Sequence, residues 1–222
     1  MLRRFWRWAV RGVTGLVAVT FLAIIAYALI NPRTTPYMFA EGWRLGGVDQ
    51  TWVAMANIAP VMGRSVVAAE DANFCLHWGL DISAIRAAMA AGSDRGASTI
   101  SQQVVKNAYL WQGRSWLRKV IEVGMTPVLE AVWTKRRILE VYLNIIEFDE
   151  GVFGVQAAAQ HYFGVDAADL TARQAARLAA VLPDPKGRSA SDPSQMVRNR
   201  AAQIIDGAAT IAADGRADCF AD

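Results

Sequence analysis

Residues 12–30, GVTGLVAVTFLAIIAYALI, carry no charged side chain over nineteen positions, about the length an α-helix needs to cross the hydrocarbon of a bilayer. Arg3, Arg4, Arg7 and Arg11 precede the run without an acidic residue, and Trp6 and Trp8 sit among them as interfacial residues do. This asymmetry predicts a cytoplasmic basic tail over 1–11, a transmembrane helix over 12–30, and the remainder of the chain on the far side. The run is longer than the apolar part of a usual signal peptide, and no clean small-x-small cleavage site precedes Asn31. It therefore reads as an uncleaved anchor.

The whole chain has 222 residues, 54% of them hydrophobic, enough for one compact domain with a sizeable core besides the anchor. The net charge of +3 belongs to the anchor: without its four arginines, 19 basic residues face 20 acidic ones, about −1. A nucleic-acid partner is not expected from that balance. Cys75 and Cys219 are the two cysteines; outside the cytoplasm they can pair, and the sequence leaves paired and free thiols equally open.

Residues 31–51, rich in Pro, Gly and Thr, read as a tether, with the folded domain beginning at 52 and running to 222. From there Ala, Leu, Val, Gln and Arg dominate and alternating β-branched runs are few, which predicts a mostly α-helical domain. In STISQQVVKNAYL, Thr99 followed by Gln102 is a capping box, as is Thr171 followed by Gln174 in LTARQAARLAAVLPDP, where Pro183 ends the run. A third helix fits KRRILEVYLNII, and Pro127 predicts a kink or interruption within EVGMTPVLEAVW. The tail from 189 reads as a loop and one helix without evident chemistry.

Chemistry gathers in a few stretches. EDANFCLHWGLD, residues 70–81, follows the small apolar segment MGRSVVAAE, so a helix or turn would deliver Glu70 and Asp71 to the edge of a packed core. A carboxylate there has a raised pKa and can act as a base; the blander reading is a solvated helix end with His77 satisfying a core hydrogen bond. On the next helix Gln102 and Lys106 lie one turn apart, as do Gln103 and Asn107. Amides with a cation suit sugar hydroxyls and phosphate oxygens. Arg114, Arg118 and Lys119 then cluster ahead of Glu122. With two histidines that lack paired spacing, a zinc site is not expected, while oxygen ligands for a Mg²⁺-like ion remain open.

Read together, EDANFCLHWGLD, GASTISQQVVKN, RKVIE, KRRILEVYLN and GVFGVQAAAQHYFG resemble, in order, the glycosyltransferase domain of the peptidoglycan polymerases, the family 51 transglycosylases. The resemblance spans residues 58 to 185. It implies a lysozyme-like, two-lobed helical domain whose apolar, membrane-hugging lobe uses the Trp-bearing segments around 85–117. It also implies an inner-membrane location with the domain in the periplasm. The implied reaction is polymerisation of lipid II. The growing glycan on undecaprenyl diphosphate is the donor, the 4-hydroxyl of the incoming GlcNAc is the acceptor, and the product is β-1,4-linked glycan.

Under this resemblance Glu70 matches the catalytic base. Lys106, Arg114 and Arg118, with Lys119, match basic positions that stabilise the leaving diphosphate. Glu122 is either the organiser of those cations or of a metal, or a structural ion pair with Arg118 or Lys119. Ser98, Thr99, Gln102, Gln103 and Asn107 would contact or position sugar and phosphate, while Asp71 and Arg86 would hold the base. Glu140, Tyr142, Asn144, Gly151, Gly154, Tyr162 and Phe163 look like scaffold under the cleft. The implied cofactor is at most a divalent cation, Mg or Mn, with no organic cofactor. The implied partners are lipid II, the undecaprenyl-diphosphate-linked glycan, the membrane, and cell-wall synthesis and division proteins. No Ser-x-x-Lys pattern suggests a following transpeptidase. Ala97, Ser101, Asp149 and Val165 depart from the usual pattern, none at the proposed base.

Overall fold

The computed structural model describes residues 2–90, 98–113 and 115–221. Helix α1, Leu2–Tyr27, opens the chain, and its Arg3–Tyr27 stretch has a mean hydropathy of 2.0, long and apolar enough to cross a bilayer. At 1.5 Å per residue the helix is about 39 Å long. Apart from the end that meets the domain, its side chains are exposed.

Residues 31–51 differ from the expected tether. They contain α2, Pro36–Leu45, with Thr35 as N-cap accepting from Met38 N, Pro36 in the first turn, and Gly46 closing it at φ 79°. They also contain strand β1, Asp49–Gln50. Met38 is buried in the core. The Pro, Gly and Thr that suggested a linker are the helix's start and stop signals.

Helix α3, Pro60–Glu70, follows, buries Met62, Val66 and Val67, and ends at Glu70. Next come α4, Ile82–Ala90, and α5, Ile100–Tyr109, which carries the expected Thr99/Gln102 capping box. Helix α6, Trp116–Val132, continues through Pro127, so the proline does not end it. Helix α7, Lys135–Ile145, is central: Ile138, Leu139, Val141, Tyr142, Leu143 and Ile145 are all buried.

A small sheet then forms from β2, Glu147–Asp149, and β3, Val152–Phe153, in the order β1-β3-β2, with β1 parallel and β2 antiparallel to β3. Strands of two or three residues are too short to leave a period-two pattern, so the sequence did not announce them. Helix α8, Val155–Phe163, starts at Gly154, whose φ of 82° only glycine adopts easily and whose added Cβ would stand 2.8 Å from Asn144 O. Helix α9, Ala172–Val181, has the second capping box, and α10, Gln195–Ala213, starts at Ser194.

Two lobes result. Helices α3, α9 and α10 pack together on one side; α5 packs against α6, α7 and α2 on the other. Cys75 and Cys219 form a disulfide across 144 residues of sequence, tying the segment after α3 to the end of the chain. Phe74 and Phe220 meet beside it with their rings tilted, and Arg216 donates to Ala72 O. The cleft opens between the lobes.

Candidate active site

The cleft has a volume of about 1270 Å³ and is lined by Glu70 and Ala69 from α3, Gln103 and Lys106 from α5, Arg118, Lys119 and Glu122 from α6, and Arg200 and Gln203 from α10. A smaller pocket of about 300 Å³ shares Gln103 and Lys106 with it and adds Asn107, Gln112 and Lys186.

Glu70 occupies the last position of α3, where side chains leave the packed core. Gln103 Nε2 donates to its Oε2 at 3.0 Å, and Arg200 Nη2 approaches Oε1 at 3.4 Å. Tyr142 OH donates to Gln103 Oε1 at 3.1 Å, so a fully buried tyrosine orients the amide whose N–H faces Glu70. Burial pushes the Glu70 carboxyl above the usual range, opposed by Gln103, Arg200 and Lys106 and reinforced by the Asp71 charge. Such a carboxyl has a higher proton affinity than a surface carboxylate.

Across the cleft Glu122 is buried, with Arg118 Nη1 at 3.0 Å from one oxygen and Lys119 Nζ bonded to the other. Lys119 also donates to Ser98 Oγ at 2.8 Å, and Arg118 Nε to Gly113 O at 3.0 Å. Of the two readings the sequence left open, the geometry is that of an ion pair that organises both cations. Lys106 stands between the walls, and its Nζ makes no hydrogen bond among the described residues. Burial lowers its pKa, and Glu122 and Glu70 pull it back up. An ammonium held half-desolvated beside open space is a ready partner for phosphate oxygens.

Several expected site residues stand elsewhere. Thr99 and Gln102 are buried and cap α5: Thr99 Oγ1 donates to Gly79 O at 2.5 Å, and Gln102 Oε1 accepts from Thr99 N. The Thr99 hydroxyl and the Gln102 amide oxygen are used at the helix start, and neither residue lines the cleft. Asp71 is also buried; its Oδ2 accepts from Ile100 N at 3.0 Å and its Oδ1 pairs with His77 Nε2 at 2.8 Å. It steadies the helix that carries Gln103, and its charge adds to the upward shift at the adjoining Glu70. Arg86 lies on the exposed side of α4, with no bond to Glu70 among the described residues. Asn107 is buried in the smaller pocket, its Oδ1 accepting from Gln112 and its Nδ2 unpartnered. Arg114 lies outside the described residues.

The tail, read as free of chemistry, supplies Arg200. Its Nη2 also donates to Ala69 O at 3.2 Å, so α10 braces the end of α3. No local motif marks it, because its partner lies 130 positions earlier.

A divalent cation fits this site poorly. Both Glu122 oxygens are held by cations already. Asp71, His77 and Asp81 do bring three ligand-type atoms within 4.8 Å of one another. Asp71 is committed to Ile100 N and His77, and Asp81 accepts from Ala84 N and Asn73 Nδ2, both at 2.8 Å. The cluster serves as the helix cap and brace under the cleft.

The profile of the Transglycosylase family matches residues 41–209. The chain belongs to the transglycosylase family. It is 63% identical, over 97% of its own length and 90% of the relative's, to the biosynthetic peptidoglycan transglycosylase of Jannaschia sp. (strain CCS1). Proteins of the same name from Rhodospirillum centenum (strain ATCC 51521 / SW) and Yersinia pseudotuberculosis serotype O:3 (strain YPIII) are each 44% identical. They cover 100% and 92% of this chain, and the chain covers 98% and 90% of theirs. The family match begins inside α2 and ends inside α10. It thus takes in the second half of the helix expected to be a tether, and Arg200.

Proposed function

We propose that this transglycosylase is a peptidoglycan glycosyltransferase that polymerises lipid II into β-1,4 glycan strands. The observation that carries the reading is a buried carboxylate of raised pKa, held by an amide and an arginine, facing a wall of fixed cations across one cleft. An α-linked diphosphate donor that gives a β product reacts with inversion. One carboxylate removes the proton of the acceptor 4-hydroxyl while the diphosphate leaves from the opposite face. Glu70 takes that proton. Gln103 and Arg200 keep its carboxylate aimed, and Lys106, Arg118 and Lys119 offset the charge that develops on the departing undecaprenyl diphosphate. Because those cations are fixed before reaction, little reorganisation is needed when the charge appears.

The reading places the enzyme in the inner membrane through α1, with the basic tail in the cytoplasm and the catalytic domain in the periplasm. The arginines before the apolar run support that orientation, and the Cys75–Cys219 disulfide supports an oxidising compartment. Confinement to one surface with two polyprenyl-linked substrates raises their effective concentration at the cleft. Helix α6 suits that setting: its polar residues Arg118, Lys119 and Glu122 line the cleft, whereas Trp116, Leu117 and Val120 are exposed. An apolar face turned outward is the pattern of a surface that meets lipid.

The test is polymerisation of labelled lipid II by the purified full chain, wild type against Glu70→Gln, with muramidase digestion of the product. Muramidase-sensitive polymer from wild type alone supports the reading. Release of soluble sugar from purified sacculi, without polymer, would instead identify a wall-cleaving enzyme.

A further inference from the structure

The last turn of α1 does not hang free. The turn that follows supplies donors to Ile24 O, Ile25 O and Ala26 O, and the domain adds donors to Ile24 O and Tyr27 O. Trp133 Nε1 donates to Ile24 O at 2.7 Å. Arg137 Nε and Nη2 donate to Tyr27 O at 3.1 and 3.0 Å, Nη2 also to Ile30 O at 3.0 Å, and Nη1 to Asn31 Oδ1 at 2.8 Å. Glu140 pairs with the same guanidinium at 3.3 Å, which lies 5.5 Å from the Trp52 ring centroid and 5.9 Å from that of Trp133. A cation at the carboxyl end of a helix also meets the favourable end of the helix dipole.

The contact reaches the site. Tyr27 stacks on Tyr109 with ring centroids 5.9 Å apart, and Tyr109 is the last residue of α5, which carries Gln103 and Lys106. Ile24 is 2% exposed, while most of the apolar helix has no protein neighbour. Among the described residues, the anchor is thus gripped at the end that emerges towards the domain, by residues of α7, the α6–α7 junction and the end of α5.

We infer that Arg137, helped by Trp133, is a positioning residue that locks the membrane helix to the catalytic domain, setting the height and tilt of the cleft above the bilayer. The inference rests on the reading that both substrates are lipid-linked. Their diphosphates sit at a fixed depth, so a cleft held at one height meets them productively, and a cleft swinging on a loose linker meets them only part of the time. Lysine cannot reproduce the grip, because a single ammonium does not span two backbone carbonyls, an amide oxygen and a carboxylate in one plane.

The full chain is reconstituted in vesicles as wild type, Arg137→Ala and Arg137→Lys, with matched circular dichroism and melting curves. Polymerisation is followed with full-length lipid II in the bilayer and with a short-chain, water-soluble lipid II analogue. The alanine variant is expected to lose at least tenfold in the vesicle assay and less than twofold with the soluble analogue, the lysine variant falling between. Equal loss in both formats, or no loss in vesicles, overturns the inference. A second reading does not depend on activity: the distance from the bilayer surface to a fluorophore attached at Ala209, an exposed position on α10, is expected to be narrowly distributed in wild type and broad in Arg137→Ala. An unchanged distribution overturns the inference. A wild type inactive on both substrates would sink the lipid II reading, and the fluorophore distances would still decide the lock.

Discussion

Glu70 at the end of α3 and Glu122 in the middle of α6 face the same cleft and are both largely buried, yet their surroundings differ in kind. Glu70 meets one neutral amide and one arginine at 3.4 Å, and burial raises its pKa. Glu122 has one cation on each oxygen. The Glu122 carboxylate is tied into ion pairs on both oxygens, whereas Glu70 is left with one neutral amide and one longer arginine contact. Burial alone therefore does not make a base; the partners decide.

The largest effect that could break this contrast is Glu70→Gln, which is expected to lower kcat by about 10³-fold, within the usual range for a general base. A loss under tenfold would mean the proton goes elsewhere. The same variant carries a stability signature. Because the folded-state pKa of Glu70 is raised, the protonated form is favoured in the folded protein. Its stabilising contribution is present below the unfolded value of about 4.3 and lost as pH rises through the folded value. Glu70→Gln should therefore melt higher than wild type at neutral pH and converge with it in acid, measured by thermal denaturation across pH.

Glu122→Gln comes next. Arg118 and Lys119 would be left beside the cleft without their shared counter-charge, costing about 2 kcal/mol of stability where partial exposure softens the penalty of a buried unpaired charge. Turnover should fall about tenfold, with KM rising because both cations lose their fixed positions. An unchanged KM would separate the pair from substrate binding.

Arg200→Ala sharpens the other half of the comparison. Arg200 holds the Glu70 pKa down, so its removal should move the acid limb of the pH–rate profile upward while the plateau drops only a few-fold. Smallest is Tyr142→Phe, which frees the Gln103 oxygen and costs about 1 kcal/mol of stability. The accompanying loss of kcat should be about threefold, and a loss as large as that of Glu70→Gln would give Tyr142 a direct part in the chemistry.

Much of this is legible in the sequence. The uncharged nineteen-residue run, the two capping boxes and the delivery of Glu70 by a small-residue helix follow from local rules whose partners lie within a few positions. The polar face of α5 is legible only as a face. Helical spacing cannot say that Gln103 and Lys106 look into the cleft while Gln102 is spent on a cap and Asn107 turns to the neighbouring pocket. Residues 36–45 read as part of a linker because Pro and Gly mark the ends of helices as well as loops, and only the burial of Met38 tells the two apart.

By itself, then, the sequence determined the apolar anchor helix, the helical class, the order of the site segments and the carboxylate proposed as base, since each depends on composition or on spacing within one element. Tertiary structure alone decided that α10 braces Glu70, that Cys75 meets Cys219, and that Arg137 grips the end of α1. Those partners lie more than a hundred positions apart, and contacts across such distances are chosen by how the two lobes pack, which no local pattern encodes.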